Sequence, residues 1–147
     1  MHLADYERMP TVGAAMTPFP YSVGPDASVL EVERLMQAHR MRHVPVQDDG
    51  RVLGIVSERE LHQLVHAALP DTDRSHLRIR HLLRHDPYVT EMATPLDEVA
   101  QEMAERHLGS AVVLRHGKLA GIFTTVDACL LLAEFLRDRF PEGPEAA

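Results

Sequence analysis

The sequence predicts a mixed α/β fold of the α+β type, in which one β-α-β-β-α unit occurs twice. The segment Gly54–Glu60 (GIVSERE) recurs 67 residues later as Gly121–Asp127 (GIFTTVD). The same offset, without a gap, pairs identical residues along the chain: Pro20 with Pro87, Tyr21 with Tyr88, Glu31 with Glu98, Val32 with Val99, Met36 with Met103, Val46 with Val113 and Gly50 with Gly117. Each copy also alternates helix-like and strand-like hydrophobic patterns. Two copies at so long a period indicate a duplicated domain rather than a solenoid.

The first copy contains two predicted helices separated by a pair of short strands. Ser28 begins an amphipathic helix that ends near His39, and Ser28 with Glu31 has the pattern of a capping box. The turn residues Asp48-Asp49-Gly50 separate two β runs and predict a hairpin. The β runs and the helix that follows them are expected at Val44–Val46, Val52–Val56 and Glu58–Ala68.

The second copy repeats this order after a polar linker. The stretch Pro70–Ser75 is rich in turn-forming residues, and Arg78–Arg84 fits a short helix. A helix carrying Leu96 and Val99, two β runs and a final helix follow, the last three at Ala111–Leu114, Leu119–Phe123 and Val126–Phe140. The predicted division of the chain is a leading segment at 1–15, the first copy at 16–69, a linker at 70–80, the second copy at 81–140 and a tail at 141–147.

Composition argues against several classes of function. The net charge of −7 makes a sequence-independent grip on nucleic acid or an anionic membrane unexpected. The single cysteine, Cys129, excludes an intrachain disulfide and suits a reducing compartment. Its apolar neighbours predict that it is buried. No apolar run reaches the ~20 residues of a membrane span, and the N-terminus lacks a signal-peptide pattern, so a cytoplasmic location is expected.

The repeated motif resembles a known family. Each copy has glycine, an apolar residue, any residue, Ser or Thr, two further residues and an acid between its last strand and last helix, as cystathionine-β-synthase (CBS) domains do. Met16-Thr17-Pro18 and Val44-Pro45-Val46 match that family too. The resemblance covers about Met16 to Leu136. It implies a tandem CBS pair with small sheets flanked by helices, packed about a pseudo-two-fold axis with two clefts between the copies.

The resemblance also implies a ligand, an adenosine-type molecule such as AMP, ADP, ATP or S-adenosylmethionine. A strand that ends in glycine lets a ligand approach the backbone, and the helix after it presents free N–H groups and a positive dipole end. The hydroxyls of Ser57 and Thr124 could contact phosphate, and the acids Glu60 and Asp127 could accept both ribose hydroxyls. Glu60 departs from the family pattern by one methylene. The same Ser-x-x-Glu and Thr-x-x-Asp patterns are also those of capping boxes, which need no ligand.

Family positions carried over to this chain place the adenine against the first two strands of each copy. In the first copy the resemblance implies Ser22, Val23, His43, Val44 and Pro45. In the second copy it implies Val89, Thr90, Ser110, Ala111 and Val112. The valines and Ala111 could equally be plain core residues, because a strand that faces a helix must be apolar. Phosphate charge could be met by Arg59, Arg42 or His43, although surface arginines are usually just solvated.

No catalytic or metal site is expected. The histidine pairs His62 with His66 and His81 with His85 have helical i, i+4 spacing, but neither has a Cys or carboxylate set at zinc-site spacing. No Ser-His-Asp set, P-loop or dinucleotide fingerprint occurs, so the chain is expected not to be an enzyme. Solvated helix residues explain these histidines.

The final helix is apolar over more of its circumference than a surface helix should be, which favours a homodimer through the CBS helices. The leading hypothesis is therefore a stand-alone tandem CBS regulatory module that senses an adenosine-type ligand and signals to an effector protein by changing shape. The junction at Thr124 and Asp127 is the preferred site. A ligand-free dimerisation or scaffold module is the alternative, and a metal-responsive module using the histidine pairs is a weaker one.

Overall fold

The computed structural model describes residues 1–18, 21–68, 71–83 and 86–142. The chain forms two compact units. The first-copy unit is Pro20–Pro87, and the second-copy unit combines Met1–Phe19 with Tyr88–Ala147. The mixed α+β class, with small sheets flanked by helices, is confirmed.

Six helices and six strands make up the described part of the chain. The helices are α1 (Val12–Ala15), α2 (Val29–His39), α3 (Glu58–Ala68), α4 (Asp71–Arg74), α5 (Leu96–Glu105) and α6 (Thr125–Arg139). The strands are β1 (Thr17–Pro18), β2 (His43–Asp48), β3 (Arg51–Ser57), β4 (Val89–Glu91), β5 (Ser110–Arg115) and β6 (Lys118–Thr124). Short 3₁₀ helices lie at Leu3–Asp5 and Ile79–Leu82. Among the described residues no helix combines the length and the hydropathy needed to cross a bilayer.

The first-copy unit is built on the hairpin of β2 and β3, which pair antiparallel. The predicted turn holds, because Asp49 and Gly50 take positive φ angles of 48° and 78°. The predicted capping box of α2 is also confirmed: the Ser28 hydroxyl accepts from Glu31 N at 3.1 Å, and Ser28 N donates to Glu31 Oε2 at 2.9 Å. The apolar faces of α2 and the hairpin close over a core of Val29, Val32, Met36, Val44, Val46, Val56, Leu61 and Ile79.

The predicted linker between the copies contains a helical turn instead of irregular chain alone. The turn is α4, and Arg74 in it lies with Nη1 3.3 Å from Glu33 Oε2 on α2. This ion pair is largely shielded from solvent and holds the turn against the first-copy unit. Pro70, where the predicted linker begins, lies outside the described residues.

The second-copy unit has one four-stranded sheet in the order β1-β6-β5-β4. Strand β5 pairs antiparallel with β6 and parallel with β4, as a β-α-β connection through α5 requires. In the first copy the position of β4 is taken by a single parallel bridge between Val23 and Val46. The second-copy core consists of Val12, Leu96, Val99, Met103, Ala111, Val113 and Phe123.

Two short segments, which we call arms, pack on the two units through equivalent contacts. The equivalent residues of the two arms are 67 positions apart in the chain. The first arm, Pro10–Pro18, precedes the first copy but packs on the second, where Val12 N donates to Thr94 O at 2.8 Å and β1 pairs with β6. The second arm, Leu77–Leu83, precedes the second copy but packs on the first, where Ile79 N donates to Ala27 O at 2.8 Å. Each copy is therefore completed by the arm that leads into the other.

A glycine in each unit makes room for its arm. A Cβ added to Gly121 would lie 2.5 Å from Met16 Sδ and 2.6 Å from the Thr17 carbonyl oxygen. A Cβ on Gly54 would meet Leu83 Cδ2 at 2.9 Å. Gly54 and Gly121 of the repeated motif thus have a packing role that does not depend on a ligand.

Helix α6 corrects one expectation from the sequence. Cys129 is exposed rather than buried. Only Ala128 and Leu131 of this helix are among the residues packed against the second-copy core, and no residue of α6 is fully buried. The helix contacts the second-copy core through a narrow stripe of residues, and most of its apolar side chains are exposed.

The arm contact predicts a difference between two equivalent glycine substitutions. Gly121→Ala should lower the free energy of unfolding by about 1–3 kcal/mol, because the new methyl group meets the backbone oxygen of Thr17, which cannot move aside. Gly54→Ala should cost less, because a rotation of the Leu83 side chain relieves its contact. Urea denaturation of both variants and the wild type measures the difference. An equal or larger loss at Gly54 would contradict the proposed role of Gly121.

Candidate functional site

The strand-to-helix junction of the second copy is a complete capping box. Thr124 ends β6 in an extended conformation and is only 8% exposed. Asp127 Oδ2 accepts from Thr124 N at 2.9 Å and from the Thr124 hydroxyl at 2.9 Å. Asp127 N donates back to the Thr124 hydroxyl at 3.2 Å. The first turn of α6 is therefore held by one threonine and by one oxygen of one carboxylate.

The second oxygen of Asp127 is left available. Within the described chain, Oδ1 has no hydrogen-bond partner, and the side chain is half-buried rather than fully exposed. A carboxylate oxygen can accept two hydrogen bonds. It lies at the N-terminal end of a 15-residue helix, whose free N–H groups favour acceptor-rich ligands. The junction can thus keep its cap and still receive hydroxyl donors.

The first-copy junction has the same design with looser geometry. Glu60 Oε2 accepts from Ser57 N at 3.3 Å, and Glu60 N donates to the Ser57 hydroxyl at 3.1 Å. Both bonds are exposed, whereas those of the second copy are partly buried. The extra methylene of Glu60 moves the carboxylate outward, so no bond joins it to the Ser57 hydroxyl. The capping function predicted from the sequence is present in both copies.

Strand pairing places the predicted base-binding residues beside the caps. Ser110 is opposite Thr124, and His43 is opposite Ser57, so each cap has a residue from the neighbouring strand next to it. Glu58 N, in the first turn of α3, donates to the Arg42 carbonyl oxygen at 2.8 Å, which brings Arg42 to the helix N-terminus. Arg59 is exposed in the same turn.

The remaining predicted base-binding residues divide between core and surface. Val44 and Ala111 have no exposed surface and belong to the two cores, as the plain-core interpretation requires. Pro45 and Val112 occupy the same position in the two copies, on the opposite face of their strands, and are also buried. Val89 is 40% exposed and lies opposite Val112 across the β4–β5 pair.

Two polar residues of the predicted pocket have partners within their own unit. The Ser22 hydroxyl accepts from Gln47 Nε2 at 2.6 Å. The Thr90 hydroxyl donates to the Thr94 hydroxyl at 2.7 Å. A ligand that used either hydroxyl would have to share it with this partner.

Reasoning from the sequence missed a pair of aromatic contacts beside these residues. Tyr21 stacks on His39 with ring centroids 3.8 Å apart, and at the same offset the Arg106 guanidinium lies 5.3 Å from the Tyr88 ring centroid. Burial, and secondarily the charge of Glu102, raises the pKa of Tyr88 above its ordinary value. The identity of Tyr21 and Tyr88 in the repeat was the signal that pointed to them.

No group of three or more His, Cys, Asp or Glu side chains within the described ranges is arranged to hold a metal ion. His81 is exposed, and His62 is exposed on α3. The side chain of His66 and all of His85 lie outside the described residues. The structure therefore shows only one member of each i, i+4 pair, His62 and His81.

Comparison with known proteins shows which family has this architecture. A profile of the CBS domain matches the chain twice, at residues 12–67 and 79–134. The chain belongs to the CBS domain family. This confirms the resemblance seen in the sequence, and the two matches begin at the two arms rather than at the strands that follow them.

The similar proteins differ in the share of their own length that this chain covers. Inosine-5′-monophosphate dehydrogenase of Staphylococcus epidermidis is 26% identical over 112 residues, which are 74% of this chain and 21% of the dehydrogenase. The chain thus spans about a fifth of that relative's length. A CBS-domain containing protein from Agrobacterium tumefaciens is 25% identical, with a TM-score of 0.69 over 82% of this chain and 97% of that one.

A further solved structure contains ligands. The CBS domain pair of protein MJ0100, in complex with 5′-methylthioadenosine and S-adenosyl-L-methionine, has a TM-score of 0.73 and 18% identity over 86% of this chain and 98% of that one. At this level of identity the likeness establishes the shared fold.

The two junctions predict unequal effects of removing the cap hydroxyl. Thr124→Ala should lower the free energy of unfolding by about 1–2 kcal/mol, because a buried hydroxyl that makes two hydrogen bonds is lost. Ser57→Ala should cost about 0.5–1 kcal/mol, because the Ser57 hydroxyl makes one exposed hydrogen bond instead of two partly buried ones. Chemical denaturation followed by circular dichroism measures both losses. A larger loss for Ser57→Ala would show that the geometry of the two caps does not determine their strength.

Proposed function

We propose that this CBS pair is a regulatory module that binds an adenosine-type ligand at the junction of Thr124 and Asp127. The observation that carries the proposal is the Asp127 carboxylate, which caps α6 through Oδ2 alone and leaves Oδ1 without a partner in the described chain. The ligand class is AMP, ADP, ATP or S-adenosylmethionine. The complex of protein MJ0100 with two adenosine derivatives supports this class for a protein of the same fold.

The ribose is the part of the ligand that this junction recognises. Its two neighbouring hydroxyls are both donors, and the remaining oxygen of Asp127, Oδ1, can accept two hydrogen bonds. Hydrogen bonds to an ionised acceptor are roughly twice as strong as neutral ones. Ser110 and Val89, on the strands beside the junction, are within the half-buried surface that would meet the base. Ala111 and Val112 would shape this surface from within the sheet.

The first-copy junction is suited to phosphate more than to ribose. Glu60 is exposed, and its carboxylate accepts a longer hydrogen bond from the cap residue than that of Asp127 does. The Glu60 carboxylate is therefore held less firmly in place. Arg42 and Arg59 flank the N-terminus of α3, and neither guanidinium has a hydrogen bond or ion pair within the described ranges. The equivalent residues of the second copy are Gly109 and Val126, which carry no charge. His43, Ser22 and Val23 would complete this weaker site.

Signalling would follow from a shift in conformational populations. A ligand changes an equilibrium only by its difference in affinity for the two states. Ligand contacts with Asp127 at the start of α6 would favour the conformations in which the junction is ordered. An effector protein would bind these conformations with a different affinity. No catalytic step is part of this proposal, and a cytoplasmic setting is assumed because such nucleotides are abundant there.

A ligand-free scaffold is the second candidate. The observation in its favour is that both hydroxyls and both carboxylates already satisfy helix N-termini within the chain. A capping box of this kind is stable without any ligand. In that case the repeat would serve only to present surfaces to partner proteins.

Ligand binding separates these two candidates. Thermal unfolding and isothermal titration with AMP, ADP, ATP and S-adenosylmethionine should show that at least one stabilises the protein, by about 2.7 kcal/mol at a hundredfold excess over Kd. Asp127→Asn, which keeps an acceptor for the cap, should weaken that ligand by about tenfold or more, because the charged acceptor is lost. The matched variant Glu60→Gln should change its affinity much less.

Three results would count against the proposal in different ways. If none of the four compounds binds, the scaffold is the better account. If binding survives Asp127→Asn unchanged, the ligand lies away from this junction. If Glu60→Gln has the larger effect, the preferred site is in the first copy.

A further inference from the structure

We propose that the turn between β5 and β6 is a docking site for an acidic segment of a partner protein. This goes beyond the proposed ligand function and does not depend on it. The turn is Arg115-His116-Gly117-Lys118, and we call these four residues the second tip. All four are exposed, and Lys118 is the only lysine of the chain. Because the net charge is −7, such a group of cations is a local exception.

The two copies build this turn with the same backbone. His116 and Gly117 have φ angles of 50° and 77°, and Asp49 and Gly50 in the first copy have φ angles of 48° and 78°. Both are two-residue hairpin loops of the kind that needs two positive φ angles. We call Asp48-Asp49-Gly50-Arg51 the first tip. The two tips therefore differ in their side chains and not in their turn geometry.

The second tip breaks two local rules that the first tip keeps. Across the first hairpin Asp48 is directly opposite Arg51, so the facing charges attract. Across the second hairpin Arg115 is directly opposite Lys118, and like charges in this position are destabilising. Asp is also a preferred residue before glycine in such a loop, whereas the second tip has His116 there. Proteins break local rules of this kind mainly at functional sites.

The cations of the second tip are not neutralised within the part of the chain that the structure describes. There, the side chains of Arg115, His116 and Lys118 have no hydrogen bond or ion pair. Strand β4 carries Glu91 opposite Leu114, next to Arg115, but no ion pair joins the two charges. A guanidinium can bind a carboxylate through two parallel N–H groups, and an ammonium and an imidazole N–H can donate to others. The second tip thus offers donors for two or three carboxylates.

The shape and charge of the second tip favour a protein segment over other anions. A turn of four exposed residues is convex, so it does not enclose a small molecule as a pocket does. Nucleic acids and anionic membranes are held by many phosphate contacts, and two permanent cations on a chain of net charge −7 supply too few. A short run of Asp or Glu needs only a few contacts. Complementary charge also orients such a partner as it approaches.

The second tip is far from the candidate ligand site. Lys118 begins β6 and Thr124 ends it, so about 20 Å of strand separates the tip from the cap of α6. Docking at the tip can therefore be tested without a nucleotide present. A negative result at one site does not decide the result at the other.

Peptide titration provides the main test. The probe is a short peptide of alternating Glu and Gly, and its control peptide has Gln in place of Glu. In ¹⁵N NMR spectra of the full chain at ~20 mM salt, the Glu peptide should shift the amide signals of the second tip, with a Kd on the order of 1 mM. The Gln peptide should not shift them. Absence of shifts with the Glu peptide, or shifts centred on Arg42 and Arg59 instead, would overturn the proposal.

Exchanging the two tips provides matched variants. Arg115→Asp with His116→Asp and Lys118→Arg gives the second copy the sequence of the first tip, and should weaken the Glu peptide at least about tenfold. This variant should also raise the Tm by about 1–3 °C, because it removes the like-charge pair. The reverse exchange, Asp48→Arg with Asp49→His and Arg51→Lys, should create peptide-dependent shifts at the first hairpin. Unchanged affinity after the first exchange, or a lower Tm, would contradict the proposed role.

The single lysine gives a second readout of where the peptide binds. Acetylation of the full chain, followed by mass spectrometry, compares Lys118 with the N-terminal amine. The Glu peptide should slow the modification of Lys118 and leave that of the N-terminal amine unchanged, whereas equal slowing of both would count against a site at the tip. Duplex DNA and phosphatidylserine vesicles, at equal concentrations of negative charge, should protect Lys118 less than the peptide does. Stronger protection by either would overturn the assignment to a protein partner.

Discussion

The junction at which the last strand becomes the last helix is the constraint on which the rest of each unit depends. A helix begins with N–H groups that have no partner inside it, and at Thr124 these are satisfied by a hydroxyl and by a carboxylate three residues later. Three residues before the hydroxyl, Gly121 leaves the space into which the first arm packs. The same short segment therefore begins the helix, ends the sheet and receives an arm. The candidate ligand site uses what remains, one carboxylate oxygen at the positive end of a helix.

Duplication allowed the two copies to keep this junction and to change what surrounds it. The first copy has a longer acid, Glu60, with Arg42 and Arg59 nearby and a polar surface on α3. The second copy has the shorter acid, Asp127, and an apolar surface on α6. Position 59 and its equivalent 126 show the divergence most clearly. One is an arginine at a helix N-terminus, and the other is a half-exposed valine on the apolar surface of α6. On this account the two copies kept one fold while the surfaces of their last helices diverged.

Much of this architecture could be predicted from the sequence because it is local. The capping box of α2, the turn at Asp49 and Gly50, and the bounds of most helices and strands depend on residues within a few positions of one another. The exchange of the arms could not be predicted in this way. Pairing of Thr17 with Ile122 joins residues from the two ends of the chain, and no local pattern indicates which copy an arm will choose. The exposure of Cys129 was missed for a related reason. An apolar helix appears the same in sequence whether it faces its own core or a partner.

The candidate site was predictable only as a motif. The residue types at Thr124 and Asp127 follow from the repeat. Only the coordinates show that one oxygen of Asp127 accepts two of the cap's hydrogen bonds and that the other has no partner in the described chain. The residues of the predicted base pocket were identified by family position, and the structure divides them between buried core, such as Val44, and half-buried surface, such as Ser110. Burial of this kind depends on packing between elements, which periodicity alone does not determine.

The central claim is that Asp127 caps α6 and receives ribose hydroxyls with the same carboxylate. The most direct measurement is a cycle of calorimetric titrations that compares the best-binding nucleotide with its 2′,3′-dideoxy analogue, on the wild type and on Asp127→Asn. Loss of the hydroxyls should cost the wild type about 1.5–3 kcal/mol of binding free energy, the value of hydrogen bonds to a charged acceptor, and should cost Asp127→Asn much less. An equal penalty in both proteins, or none in the wild type, would contradict the claim.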